Sequence, residues 1–393
     1  MSPDIPENMS YSYLIVTGEA SGDLHAGHLL QALKKREPNT KAWGVGGENL
    51  QAAGMDLEEP VKTMTVMGFA GILSKLPHFK DVQNRIVARC RTQPPAAAIL
   101  VDYSGFNLRL APYLKKLGIP VFYFISPQVW AWRTGRIRTI KELVDLMIVF
   151  FPFEEKLYQE HGVPVKWAGH PLVGAAPPVQ SKEAFLSSLG LDPSRRTLAL
   201  LPGSRRSEVQ ALLPIMKQAA RRISKELEPS PQFLLAQASG LEPSLFKGLE
   251  GLPIKAVVGK AQACIAAADL VLTCSGTATM ETAALEKPMI VVYKTGALNW
   301  MLIRPWVKVE YASMANILAG KQIVPELLQK NLSGESLAQK AVELLKDSQR
   351  MAQMQNELAK IKSSLGKPGA YTRAADAILA HLRDGSCQPH THQ

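Results

Sequence analysis

Short apolar runs alternate along this chain with segments whose apolar positions recur every third or fourth residue. The first kind reads as buried strands and the second as amphipathic helices. In the first half, YSYLIVTGEASGD is a strand running into a glycine-bearing turn, and HAGHLLQALKKR is the helix after it. AWGVGG, AAAILVDYSGF, IPVFYFISP and LVDLMIVFF follow as further strands, with APYLKKLG as a helix among them. Strands that are apolar throughout and alternate with helices predict a parallel sheet covered on both faces. GHPLVGAAPPVQS (Gly169–Ser181) breaks the rhythm with Gly and Pro and reads as an interdomain linker. The alternation then restarts with RTLALLPGSRR, FLLAQAS, IKAVVGK, AADLVLTCSGT and MIVVYK. The pattern predicts an α/β protein with two Rossmann-like domains facing a cleft: 1–172, 173–345 and a helical tail over 346–393 whose last residues, SCQPHTHQ, fray.

Composition narrows the function classes. The chain has 393 residues, 46% of them hydrophobic and 20% charged, enough for two domains with real cores. No apolar run approaches the roughly 20 residues of a spanning helix, and the first residues carry no pattern of a secretory signal. The four cysteines (Cys90, Cys264, Cys274, Cys387) are scattered, without C-x-x-C or zinc-like spacing, which points to reduced thiols in the cytoplasm and to no metal site. The formal net charge of +11 favours anionic partners. The basic residues form no block and accompany no nucleic-acid module, so phosphorylated ligands and an anionic membrane surface rank above nucleic acid. A merely soluble basic surface explains the charge equally well.

Ligands of open α/β sheets bind beyond the carboxyl ends of the strands, and four loops qualify. TGEASGDLHAG (Thr17–Gly27) places Gly18 and Gly22 before a helix whose free N–H groups suit an anion or a sugar; a tight turn capped by Ser21 or Asp23 is the stronger reading of the loop alone. In ILVDYSGFN, Asp102 ends an apolar strand, where a carboxylate is either a general base or a turn-former, and position leaves the two level. LPGSRRSEV offers Ser204 and Arg205 to a phosphate, with Ser207 and Gln210 as a capping box for the next helix. One of Arg205 and Arg206 reads as functional, the other as surface. In CSGTATMETAALEKPMIVVYK, Ser275, Gly276 and Thr277 stand where a helix leaves N–H groups unpaired, a diphosphate site by geometry. Glu281, a turn further on, suits a ribose diol, or is simply a solvated residue of a capped helix. G-x-G-x-x-G is missing, because Asn49 stands where Gly44-Val45-Gly46 would need its third glycine; G-x-x-x-x-G-K-[ST] and D-x-D are missing too. A leaving diphosphate would then be stabilised by helix N-termini and Arg205.

Taken in order, GEASGD, SPQVWAWR (Ser126–Arg133), FPFE (Phe151–Glu154), GHPL, LPGSRRSEV, CSGTATMETAALEKPMIVVYK and NILAG (Asn316–Gly320) resemble the lipid-A-disaccharide synthases, over roughly Tyr13 to Ala380. The resemblance implies a metal-independent, inverting glycosyltransferase of the two-domain B-type (GT-B) fold that needs no cofactor. It joins UDP-2,3-diacylglucosamine to 2,3-diacylglucosamine 1-phosphate (lipid X) through a β-(1→6) linkage and releases UDP. It implies Asp102 as the general base or a residue essential to it. Arg205 is implied at the diphosphate, Glu281 at the ribose, Asn316 at the substrate, and Glu19 as a catalytic residue facing the cleft from the N-terminal domain. His25 and His170 are further proton carriers to weigh, below Asp102 because a lone histidine is more often structural. One departure stands out: many relatives read I-D-x-P-D-F-N, whereas Gly105 replaces the second carboxylate here, which leaves the burden on Asp102.

The acylated substrates imply an apolar surface. KTMTVMGFAGILSKLPHFK (Lys62–Lys80) reads as a buried helix or, given those substrates, an acyl groove. GALNWMLIRPWVK (Gly296–Lys308) suits a membrane interface or interdomain packing. Trp130 and Trp132 read as structural, with Gln128 and Arg133 near the cleft. The expected place is the cytoplasmic face of the inner membrane, peripherally bound, with a homodimer possible. The competing readings are another metal-free UDP-sugar transferase or epimerase of the same fold, which GEASGD and SPQVWAWR disfavour, and a non-catalytic sugar-nucleotide or lipid binder, which the intact Asp102, Arg205 and Glu281 set disfavours.

Overall fold

The computed structural model describes residues 11–64, 68–132, 135–174, 180–295 and 310–384, without the side chains of 68–74 and 131–132. Gly296–Lys308, Arg133, SCQPHTHQ and the middle of the Gly169–Ser181 linker lie outside the described residues.

The chain forms two compact units, one made of the residues up to Pro171 together with those from Lys367, the other of Leu172–Gly366. In the first unit, seven strands are β1 (Ser12–Thr17), β2 (Lys41–Gly46), β3 (Asp56–Pro60), β4 (Ala97–Val101), β5 (Val121–Phe124), β6 (Leu146–Val149) and β7 (Val165–Trp167). They are all parallel, in the order β3-β2-β1-β4-β5-β6-β7. Side chains alternate between faces, so both layers of core draw on the same runs. Leu14, Val16, Leu100 and Tyr123 pack on one side with Ile86 and Leu110. Tyr13, Ile15, Ile99 and Phe122 pack on the other with Leu29, Leu30 and Leu33. Burial on both faces is why these strands show no polar alternation in the sequence.

The second unit repeats the plan with β8 (Thr197–Leu201), β9 (Gln232–Gln237), β10 (Ile254–Val258), β11 (Leu270–Cys274), β12 (Met289–Tyr293) and β13 (Glu326–Leu328). These are also parallel, in the order β10-β9-β8-β11-β12-β13. Both sheets are doubly wound: the chain moves outward from β1 and from β8, then returns to start the other half beside them. Each sheet therefore has one topological switch point, β1/β4 and β8/β11, where neighbouring loops diverge and leave a crevice.

The tail differs from the expected separate element over 346–393. The helix Ser348–Ser364 completes the second unit, burying Met354 and Leu358 in its core. After Gly366 and Gly369, both at positive φ, the helix Ala370–Arg383 belongs to the first unit. Its stripe of Ala374, Ala375, Ile378 and Leu379 is buried in the same core layer as Leu29, Leu30 and Leu33. Arg373 donates to the Ala168 carbonyl at 2.7 Å, and Arg36 pairs with Asp376 at 2.7 Å. An amphipathic helix must bury its apolar stripe, and this one does so on the helix Ala20–Arg36. In the Lys62–Lys80 segment, helices run over Val61–Met64 and Gly68–Thr92, and Phe79 packs against the core.

Candidate active site

At the first switch point, Thr17 lies opposite Val101 in register, so Gly18 and Asp102 leave adjacent strands side by side. Asp102 and Tyr103 both adopt left-handed backbone, at φ 45° and 42°. For residues with a Cβ this conformation costs of order 1–3 kcal/mol each and persists only when the surroundings over-determine it. Here the Asp102 carbonyl accepts from the Asn107 amide at 2.9 Å and from the Tyr123 hydroxyl. Asn107, fully buried, also donates to the Val101 carbonyl at 3.2 Å, and the Tyr103 hydroxyl donates to the Met64 carbonyl at 2.7 Å. The turn thus presents the partly exposed Asp102 carboxylate from a braced backbone.

Glu19 begins the helix Ala20–Arg36 with extended backbone, partly exposed. Its loop interlocks with that of Asp102: a Cβ on Gly18 would come within 2.2 Å of the Tyr103 ring, so only glycine fits. Burial, with the Glu19 charge nearby, pushes the Tyr103 phenol up to about 12. Asp23 does not cap its own turn. Its buried carboxylate accepts from the backbone N–H groups of Gly47 at 2.6 Å, Asn49 at 3.0 Å and Leu50 at 3.2 Å, fixing the loop after β2.

His25 takes a different environment from the one a base requires. Its Nδ1 is hydrogen-bonded to the Tyr371 hydroxyl at 2.8 Å, and its ring meets Phe150 edge-on. Burial drops its pKa to about 4, and that of His170, packed against Phe150 and Phe151, to about 3. Imidazoles so lowered are weak proton acceptors, and both rings pack against aromatic side chains.

At the second switch point, Leu201 lies opposite Thr273, so Pro202 and Cys274 sit level. Gly203, at φ 115°, turns the chain into the helix Arg206–Glu226. The capping pair is Arg205 and Glu208, not Ser207 and Gln210. The Glu208 carboxylate reaches back to the N–H groups of Ser204 at 3.1 Å and Arg205 at 3.2 Å, and it pairs with the Arg205 guanidinium at 3.1 Å. Three donors converge on this partly buried carboxylate, and they are the donor set a phosphate would use. Beside them, Ser275 is a fixed corner: its N–H donates to the Val292 carbonyl at 3.0 Å and its hydroxyl to the Ala312 carbonyl at 2.8 Å. Gly276, at φ 142°, and Thr277 are exposed at the N-terminus of the helix Thr277–Ala284. Glu281, one turn along that helix, is held above the usual carboxylate range by burial, opposed by a hydrogen bond from Gln262.

Asn316 is fully buried and spent internally. It donates to the Val324 carbonyl at 2.9 Å and to Glu326 at 2.7 Å, and it accepts from Ile323 N–H at 2.7 Å and Val324 N–H at 2.9 Å. These four bonds tie its side chain to the loop it shapes. Its partner Glu326, which the sequence reading missed, also accepts from the N–H groups of Ala312 at 2.8 Å and Ser313 at 2.9 Å. Through Ala312 this network steadies Ser275. Nothing local in the sequence marks Glu326, whereas the x-x-E spacing after Arg205 could have revealed Glu208.

The sequence matches the profile of the lipid-A-disaccharide synthetase family over residues 13–380. It is 43% identical over 378 residues to the lipid-A-disaccharide synthase of Syntrophus aciditrophicus, covering 95% of this chain and 98% of that one. The fold is similar to that of the calicheamicin glycosyltransferase, at a TM-score of 0.60 and 16% identity over 95% of this chain and 98% of that one. It is similar also to the UDP-GlcNAc 2-epimerase of Neisseria meningitidis in complex with UDP-GlcNAc, at a TM-score of 0.58 and 10% identity over 96% of this chain and 100% of that one. With two doubly wound parallel sheets of the GT-B kind and a family match along nearly its whole length, the chain belongs to the lipid-A-disaccharide synthetase family, glycosyltransferases of lipid A biosynthesis.

Proposed function

We propose that the chain condenses UDP-2,3-diacylglucosamine with 2,3-diacylglucosamine 1-phosphate, forming a β-(1→6) disaccharide 1-phosphate and UDP. The observation that carries this reading is that Asp102 and Arg205, in a member of this family, each stand at the switch point of their own sheet. The acceptor's 6-hydroxyl oxygen attacks the anomeric carbon from the face opposite UDP. Its proton passes to Asp102, the bond from that carbon to the diphosphate oxygen breaks, and UDP leaves with the electron pair, inverting the centre. Arg205, the Ser204 N–H and the helix start at Gly276–Thr277 take up the charge of the departing diphosphate. Glu281 accepts from the ribose hydroxyls, and Glu19 orients the acceptor. Asn316 acts through the loop it shapes, and His25 through packing.

Both substrates are acylated, so the enzyme works where lipid is. Among the described residues no helix is long and apolar enough to cross a membrane. The basic surplus supports peripheral attachment to the anionic cytoplasmic face of the inner membrane, with or without a second copy of the chain.

The test is UDP release in detergent with EDTA, with and without the acceptor, for the protein and for Asp102→Asn. Release that depends on acceptor, survives EDTA and drops by about 10²–10⁴-fold in the variant, with UDP binding kept, is expected. Absence of acceptor-dependent release from the unmodified protein would sink the substrate assignment.

A further inference from the structure

Glu154 has no part in the reaction as drawn, yet it is among the most deeply buried carboxyl groups of the first unit, at 4% exposure. It lies in the first turn of the helix Pro152–Glu160, just beyond β6. One carboxyl oxygen accepts from the indole Nε1–H of Trp130 and the other from the Phe151 N–H, each at 3.4 Å. No cation pairs with it among the described residues. Trp130 belongs to the segment after β5, and that segment starts from strain: Ile125, β-branched, sits at φ 70°. Ser126 follows, its hydroxyl 2.8 Å from that of Tyr158 on the same helix as Glu154. Val101 pairs with Phe124 in register, so the β5 segment emerges beside Asp102, and Tyr123 of β5 braces the Asp102 carbonyl. A strained segment next to the base is thus tied down by one buried acid.

We propose that Glu154 is a positioning residue for glycosyl transfer: its buried carboxyl group, bridging Trp130 and the Phe151 amide, sets the segment Ser126–Trp132 beside Asp102. This rests on the transfer reading above. Both oxygens accept and no cation among the described residues offsets a charge there, so ionisation leaves a buried charge at the bridge and works against it. Burial supports this, raising its pKa to about 8 against the pull of the Phe151, Trp130 and Ser126 hydrogen bonds. The groups facing it do not titrate nearby. Ser126 and Trp130, from the β5 side, are uncharged. On its own helix, burial pushes the Tyr158 phenol up, and His170, packed on Phe151, is held down to about 3.

The test compares the pH profile of UDP release in the wild type, Glu154→Gln and Glu154→Ala, with UDP binding and thermal unfolding alongside. Wild-type kcat should fall as pH rises through about 8. Glu154→Gln, which cannot ionise but offers one acceptor oxygen where the bridge uses two, should lose less activity at pH 7 than Glu154→Ala and lose that alkaline fall. Glu154→Ala should lose roughly tenfold or more in kcat while UDP affinity, a property of the other unit, is unchanged. The sign for stability is that of a raised acid: the wild type loses stability between the ordinary glutamate value of 4.5 and about 8, and Glu154→Gln loses less over that window. An active wild type whose alkaline fall persists in Glu154→Gln overturns this proposal alone. Full activity in Glu154→Ala does the same. A wild type without acceptor-dependent release overturns the transfer reading and this proposal with it.

Discussion

Arg205 carries its charge at the surface, with its side chain 60% exposed, and Glu208 already engages it. What it contributes to UDP binding is therefore an exchange of one anion for a stronger one. A hydrogen bond to a charged group contributes about 1.5–3 kcal/mol, so Arg205→Ala should weaken UDP binding by roughly 10–150-fold. Calorimetric titration with UDP reads this directly, and a change below about threefold would remove Arg205 from the site. The loops of Asp102 and Arg205 were legible because an apolar strand ends abruptly before each, and Glu281 was legible from its place one turn into the following helix. Asn316 was legible as part of a motif, but its side-chain hydrogen bonds were not, because they go to residues 323, 324 and 326 and nothing in NILAG reveals them. The surroundings of His25 were hidden for a related reason: the tyrosine that bonds it, Tyr371, lies 346 positions away.

At the level of elements, the helix Ala370–Arg383 was legible as an amphipathic helix, but the surface that receives it was not. A stripe says that a helix must dock; it does not say where. Fully burying an Ile or Leu stabilises by about 1.5–3 kcal/mol, so Ile378 and Leu379 together contribute about 3–6 kcal/mol. Typical domain stabilities are about 5–15 kcal/mol, which makes this a large share. The half-exposed Arg36–Asp376 pair adds at most about 1 kcal/mol. Removing residues from Lys367 onward should therefore lower or abolish the melting transition of the first unit and leave that of the second in place. Calorimetry that found both transitions unmoved would contradict the docking. The strands that sequence reading overlooked, β3, β7 and β13, are all at sheet edges. Edge strands tend to be short, as DLEEP, VKW and ELL are, and so lack the longer apolar run that betrays a central strand.

For the molecule as a whole, the doubly wound plan followed from strand–helix alternation, and the two-unit division from the Gly/Pro break near residue 170. The net charge of +11 makes a separate prediction. The protein should co-sediment with vesicles containing phosphatidylglycerol and not with purely zwitterionic ones, and the bound fraction should fall as salt shortens the Debye length from about 10 Å at 0.1 M to about 3 Å at 1 M. Salt-independent binding would point to apolar insertion instead.

The return of the helix Ala370–Arg383 to the first unit also sets an order of events during synthesis. The strands and helices up to Pro171 emerge from the ribosome before the second unit, but the layer containing Leu29, Leu30, Leu33 and Phe122 is completed by residues made after it. At about 5–20 residues per second, translating the intervening second unit takes roughly 10–40 s. Throughout that interval the nascent chain carries an uncovered apolar face, a natural landing place for a chaperone.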